Sequence, residues 1–219
     1  MTDQENIKVA APEKWMDGWD NIYKQMLDAS DADLRELEVS RPVRQFAHAL
    51  NVSEADLANH HILELASGDG STACYLGHLG CKVEGVEALA NAVTIANRRI
   101  RMLDLQDKVS VRLGDIDGWD LGIETYDSIV IIQSLQYLFD RTIPRLEEIL
   151  AAIRPGGFFV YSGNILPHFV TEPPIRFITR SELISHLDGW TLHCFGGDES
   201  IIKPGDLRGY IWTVARKPK

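Results

Sequence analysis

The chain has 219 residues, 45% hydrophobic and 25% charged, a mixture that suits one α/β domain with a sizeable core and excludes disorder, collagen and coiled coil. A net charge of −10 argues against an extended nucleic-acid footprint, because phosphate binding draws on clustered Lys and Arg. No apolar run reaches the roughly 18 residues of a membrane span, and residues 1–11 lack the apolar stretch of a secretion signal; a cytoplasmic protein with no membrane partner is expected.

Residues 15–28 carry Trp15, Trp19, Ile22, Tyr23, Met26 and Leu27 at helical spacing, an aromatic-rich face suited to docking or covering. A second helix is expected at about 42–50, with Pro42 early, where its missing N–H does no harm. Residues 1–58 thus read as a helical cap on an α/β core at 59–219, the whole forming one domain. Strands at 62–66, 82–87, 109–113, 128–132 and 158–162 alternate with helices at about 71–79, 89–103 and 142–153. That alternation implies a Rossmann-like, doubly wound, mostly parallel sheet with helices on both faces. Arg154-Pro155-Gly156-Gly157 reads as a stop before the fifth strand. Two further runs, 191–195 and 210–215, flank a loop rich in Gly, Pro and Asp, which suggests an antiparallel C-terminal edge pair. Arg98, Arg99 and Arg101 are expected to spread over a solvated helix surface. Cys74, Cys81 and Cys194 have neither CxxC nor zinc-finger spacing, so they read as reduced, buried thiols and no metal site is expected.

The run Ile62-Leu63-Glu64-Leu65-Ala66 stops in Ser67-Gly68-Asp69-Gly70 before helix-compatible residues. A strand ending this way brings bare backbone up to a ligand, and a side chain at Gly68 or Gly70 is expected to fill ligand space. The stretch from Gly68 to Ala73 also reads G-x-G-x-x-A, so an NAD(P)-linked oxidoreductase is a rival reading. Glu64 and Asp69 count against it, since two carboxylates crowd the place of a doubly charged pyrophosphate. A ligand with ammonium and sulfonium charges and no phosphate tolerates them.

The order hhE-h-A-x-G-x-G, then Val83-Glu84-Gly85-Val86-Glu87, then Leu113-Gly114-Asp115-Ile116, resembles class I S-adenosylmethionine-dependent methyltransferases over about residues 60–165. Ala66 departs from that family's pattern, standing where the first glycine is usual. The resemblance implies S-adenosylmethionine as cofactor and S-adenosylhomocysteine as product. Glu64, Ala66, Ser67, Gly68 and Gly70 would then wrap the methionine end. Glu87, followed by Ala88, would accept from the ribose hydroxyls. Asp115, with Asp117 as competitor, would accept from the adenine amino group beside the Ile116 backbone. Gln133 would touch the methionine portion, with Ser134, Gln136 and Tyr137 at the mouth. Trp19-Asp20-Asn21-Ile22-Tyr23 is similar to the W-D-x-x-Y element of several small-molecule methyltransferases, including tellurite-resistance-type enzymes, and the stretch from Phe177 to Leu183 shares a loose likeness to them. Trp19 and Tyr23 would share one helix face, either closing over the cofactor or packing on the sheet.

The reaction so implied is in-line displacement at a sulfonium-activated carbon, so alignment and a dry site matter most and few catalytic groups are needed. A base is required only if the acceptor must lose a proton. His168 is the candidate, since the loop at 164–176 follows the fifth strand at the expected substrate rim and suits a lid. Arg176 in that loop would pair with an acidic substrate or with the protein's own acids. His60 and His61 precede the first strand and belong on the far side of the sheet. The acidic balance favours a small-molecule acceptor, with a non-catalytic cofactor-binding protein as the other alternative.

Overall fold

The computed structural model describes residues 9–10, 12–53, 55–165, 170–171, 175–203 and 206–219. In chain order its elements are β1 (Val9–Ala10), α1 (Pro12–Met26), α2 (Asp31–Arg35), α3 (Arg41–Val52), β2 (His61–Leu65), α4 (Ser71–His78), β3 (Lys82–Glu87), α5 (Ala90–Met102), β4 (Val109–Leu113) and β5 (Tyr126–Ile132). A 3-10 helix (Leu135–Arg141) follows, then α6 (Thr142–Ala152), β6 (Ile153–Asn164), β7 (Val170–Thr171), α7 (Arg180–His186), β8 (Thr191–Lys203) and β9 (Asp206–Arg216).

Seven strands form one sheet in the order β4-β3-β2-β5-β6-β9-β8. β2 to β6 run parallel to one another, while β9 is antiparallel to both β6 and β8. The expected mostly parallel sheet with an antiparallel C-terminal edge is therefore present.

Alternation along the central strands sends side chains to two cores, and this creates the double winding. Leu63, Leu65, Ile129, Ile131, Phe159 and Tyr161 meet Leu146 and Ile149 of α6 and Leu183 of α7. Ile62, Val130, Val160 and Val214 meet Phe46 of α3, Leu76 of α4 and Ala96 of α5 on the other face. The strand order reverses between β2 and β5, which opens a crevice outside their carboxyl ends.

Several local expectations change. Arg154 to Gly157 do not end an element; they lie inside β6 as an irregularity between the pairs Tyr126↔Ile153 and Ser128↔Phe158. β8 and β9 run well past the expected edge pair, because Gly196, Gly197 and Asp198 pair with Trp212, Ile211 and Tyr210 rather than looping out. α2 and the 3-10 helix were not foreseen. α2 carries a reciprocal capping box between Ser30 and Asp33, a signal present in the sequence. β1 pairs with β7 in a separate two-stranded parallel sheet. Cys74 and Cys81 are buried free thiols, whereas Cys194 is only half-buried. Among the described residues no helix is long and apolar enough to cross a membrane.

Candidate active site

The turn after β2 is held by its neighbours more than by open space. Ala66, Gly68 and Gly70 have φ values of 57°, 53° and 76°, all in the left-handed region. A Cβ on Gly70 would lie 2.8 Å from the Ala96 Cβ of α5, and one on Gly68 would lie 2.6 Å from the Tyr23 hydroxyl. The Cβ positions of these two glycines are thus occupied by Ala96 of α5 and by Tyr23 of α1. Ser67 N–H donates to the Val86 carbonyl at 3.1 Å, tying the turn to the end of β3.

The two carboxylates expected to repel a pyrophosphate are also not two free charges. Asp69 Oδ2 accepts from Arg99 Nη2 at 2.6 Å, and the Asp69 carbonyl accepts from Arg99 Nε at 3.2 Å. Arg99, expected on a solvated surface, is only 2% exposed. It lies on the buried stripe of α5 with Ala92, Ile95 and Ala96, three or four residues apart, so the helical period contained the signal. Glu64 is buried beneath the start of α4. Desolvation, then the nearby Asp69 and Glu87 charges, push its carboxyl well above the usual range, and the Thr72 hydroxyl and Ala73 amide only partly offset this. Its Oε2 has no hydrogen-bond partner among the described residues. The same causes, burial first and then Glu87, Asp69 and Glu64, raise the Tyr23 phenol and keep it a neutral donor.

Glu87, at the end of β3, lies on the cleft wall. Its Oε2 accepts from Gly68 N–H at 2.8 Å and its Oε1 from Leu89 N–H at 2.9 Å. The carboxylate is thus aimed by two backbone donors and each oxygen retains acceptor capacity. A cleft of about 780 Å³ opens beside it, and Trp19, Ala66, Glu87, Ala88, Asp115 and Ile116 all line it. That volume falls within the range of small-molecule sites, about 300–1,000 Å³. Met16, Leu113, Phe139 and Arg141 also line it and were not foreseen. Leu113 is 59% exposed and Trp19 44%, apolar surface that a flat ligand would cover. Trp19 and Tyr23 stack at 6.4 Å between ring centroids, and Asn91 Nδ2 of α5 donates to Asp20 Oδ1 at 2.8 Å, which seats α1 over this end of the sheet.

Asp115 Oδ1 accepts from the Asp117 N–H at 3.0 Å, while Asp117 itself pairs with Arg141 at 3.1 Å. Of the two candidates, Asp117 is therefore the one already held by a cation. Tyr23, Glu64, Ser67, Gly68, Gly70 and Gln133 are not among the residues that line this cleft; Glu64, Ser67 and Gly70 are buried, whereas Gln133 is exposed. Gln133 has φ 56°, and its N–H donates to the Ser162 carbonyl at 2.6 Å. Ser134 and Tyr137 do reach the cleft, and burial pushes the Tyr137 phenol up to about 12.

His168, with Pro167, Pro173 and Pro174, lies outside the described residues. Arg176 pairs with Glu182, an acid of the protein itself. His60 Nε2 bonds the Ser128 hydroxyl at 2.8 Å, near the start of β5 and away from the strand carboxyl ends.

Comparison with known proteins agrees with this geometry. Residues 62–157 match the methyltransferase domain family. Methyltransferase GfsG of Streptomyces halstedii is 30% identical over 140 residues, which is 63% of this chain and 49% of that protein. The chain thus spans about half the length of that curated relative. Among solved structures, the cyclase SpnF superposes with a TM-score of 0.64 at 15% identity, covering 97% of this chain and 98% of its own. A phosphoethanolamine N-methyltransferase of Haemonchus contortus, solved with S-adenosylhomocysteine, gives 0.58 at 12% identity over 80% of this chain and 52% of its own. Residues 62–157 are thus similar to a methyltransferase domain, and the sheet order and glycine turn agree with the fold of the class I S-adenosylmethionine-dependent methyltransferases that the sequence resembles.

Proposed function

We propose that this chain moves the methyl group of S-adenosylmethionine to a small-molecule acceptor by in-line displacement. The observation that carries the reading is the cleft in which the aimed Glu87 carboxylate, the Asp115 side chain and the exposed apolar groups Leu113 and Trp19 converge. These residues fit a nucleoside: a carboxylate for vicinal hydroxyls, an acceptor for an amino group and apolar surface for a purine. When bound, the cofactor supplies a methyl carbon already activated by its sulfonium.

The protein's share is then alignment and dryness. Glu87 orients the ribose and Asp115 with the Ile116 backbone orients the base. Trp19 of α1 shields that end from water, and Tyr23 holds the turn from above. Ala66 closes the wall nearest the methionine end, with Glu64, Ser67, Gly68 and Gly70 supporting it from behind and the exposed Gln133 meeting the methionine portion. Tyr137, with its phenol raised to about 12, serves at neutral pH as a hydrogen-bond donor to the acceptor rather than as a base. His168 is the proposed base for acceptors that must lose a proton. We place the reaction in the cytoplasm, where free thiols such as the half-buried Cys194 stay reduced.

Thermal denaturation with S-adenosylhomocysteine and with NAD tests the reading. Stabilisation by the first and not the second is expected, and the reverse would sink it. Glu87→Ala should weaken S-adenosylhomocysteine binding by about tenfold or more, since it removes a charge-assisted pair of acceptors. Unchanged affinity would remove Glu87 from the ribose site. The near-complete superposition on a structure named as a cyclase favours a second reading, in which the cofactor is bound but no methyl group moves. Retained cofactor binding with no transfer to thiols, amines, phenols or metalloids would favour that reading.

A further inference from the structure

Two segments of this molecule are short of internal support. The first is the turn from Ala66 to Gly70, where two glycines in the left-handed region leave the unliganded backbone many alternative conformations. The second is α2, five residues long, a length far below what holds a helix together alone. One buried side chain serves both. Arg99 sends Nη2 and Nε to the carboxylate and carbonyl of Asp69, in the middle of the turn. It sends Nη1 to the carbonyl of Leu34, in α2, and to that of Glu36 just beyond it, the latter at 2.8 Å. Asp69 passes the restraint on, accepting from the Ser71 N–H and hydroxyl at 3.1 Å each, where α4 begins.

We propose that Arg99 is a positioning residue that couples the order of residues 31–36 to the conformation of the cofactor-binding turn. The argument rests on the planar fork of the guanidinium. A guanidinium donates in fixed directions to several acceptors at once, which an ammonium on a flexible stem does not do. Four acceptors from two chain segments meet that fork at a site almost closed to water, so displacing either segment leaves buried groups unpaired on the other. Arg98 adds to the link, donating to the Leu27 carbonyl and pairing with Asp31. The cap therefore acts on the cofactor site by two routes. Tyr23 presses on Gly68 directly, and α2 acts through Arg99 on Asp69. The second route predicts that the affinity for S-adenosylmethionine depends on a helix that never touches it. This inference rests on the cofactor reading above.

A double-mutant cycle on the full chain tests it, with S-adenosylhomocysteine as the probe and calorimetric Kd and melting temperature as readouts. Ser30→Ala removes the capping box of α2 without touching the turn. Arg99→Lys keeps the charge and loses the fork. Arg99→Lys is expected to weaken binding by about tenfold, and Ser30→Ala by about threefold in the natural background. In the Arg99→Lys background, Ser30→Ala should cause no further loss of affinity while still lowering the melting temperature. A merely structural role for Arg99 would leave the Ser30→Ala effect on affinity the same in both backgrounds, and that result overturns the proposal. So does natural affinity in a folded Arg99→Lys protein. If Arg99→Lys does not fold, Asp69→Asn replaces it in the same cycle with the same expected and overturning outcomes. Failure of the natural protein to bind S-adenosylhomocysteine would strike the cofactor reading instead.

Discussion

The strand ends after β2 and after β5 flank the same crevice and are built on opposite plans. After β2 the left-handed conformations fall on Ala66, Gly68 and Gly70, so two of the three belong to glycine, and each missing side chain is replaced by a neighbour, Tyr23 in one case and Ala96 in the other. After β5 the left-handed positions are Gln133, with φ 56°, and Phe139, with φ 52° and ψ −117°, where a side chain makes the conformation costly. That second stretch is held by donors from its surroundings: Gln136 Nε2 to the Gln133 carbonyl at 2.8 Å and Thr142 Oγ1 to the Leu135 carbonyl at 3.0 Å. The difference teaches where strain is kept. The turn beside the Glu87 carboxylate carries it on Ala66 alone, and the segment that reaches the open mouth of the cleft carries it on two residues.

The largest test of this contrast lies within the glycine turn. Gly70→Ala should cost about 3 kcal/mol, because a left-handed alanine is unfavourable and its Cβ meets a helix atom that has nowhere to go. Gly68→Ala should cost only about 1 kcal/mol in stability, because the atom it meets is the far end of the Tyr23 side chain, which swings aside. Equal losses in urea denaturation would show that neighbours do not distinguish the two glycines.

Next comes Glu64. Its folded-state pKa lies above the unfolded value, so the natural protein has its full stability below about pH 4.5 and loses this contribution as pH rises toward the raised value. Glu64→Gln carries no such charge, so it should melt at nearly the natural temperature at pH 4 and progressively higher than natural protein as the pH rises above about 4.5. Parallel melting curves for the two proteins across that range would mean that Glu64 is not held in its protonated form.

The smallest expected effect is on the strained side. Phe139→Gly should raise stability by about 1 kcal/mol, the relief of left-handed strain less the flexibility that glycine adds to the unfolded chain. A loss would mean that the Phe139 ring contributes more through packing against the cleft than its backbone costs.

Much of the architecture could be read from letters. Ile62, Leu63 and Leu65 belong to a strand buried on both faces, and that is why an uninterrupted apolar run marks a central parallel strand. The three motifs that end in Gly70, Glu87 and Asp115 each sit at a strand carboxyl end, where the local pattern and the site coincide. The tail was misread for the opposite reason. Gly196 and Gly197 look like loop residues, yet Gly196 sits in β8 because the Trp212 ring of the paired strand occupies the space of its side chain. Arg99 was misread because charge was weighed above position, although its spacing from Ile95 and Ala96 placed it on the buried stripe.

The sequence by itself determined the alternation of elements, the antiparallel edge and the carboxylates that face the cleft, since each depends on periodicity or on residues close in the chain. Only the tertiary structure decided which charges are free. Asp69 meets Arg99 because α5 packs across the turn, and Glu64 is stripped of water beneath the start of α4. An ionisable group takes its behaviour from burial and from partners distant in sequence, and neither is written in the residues beside it.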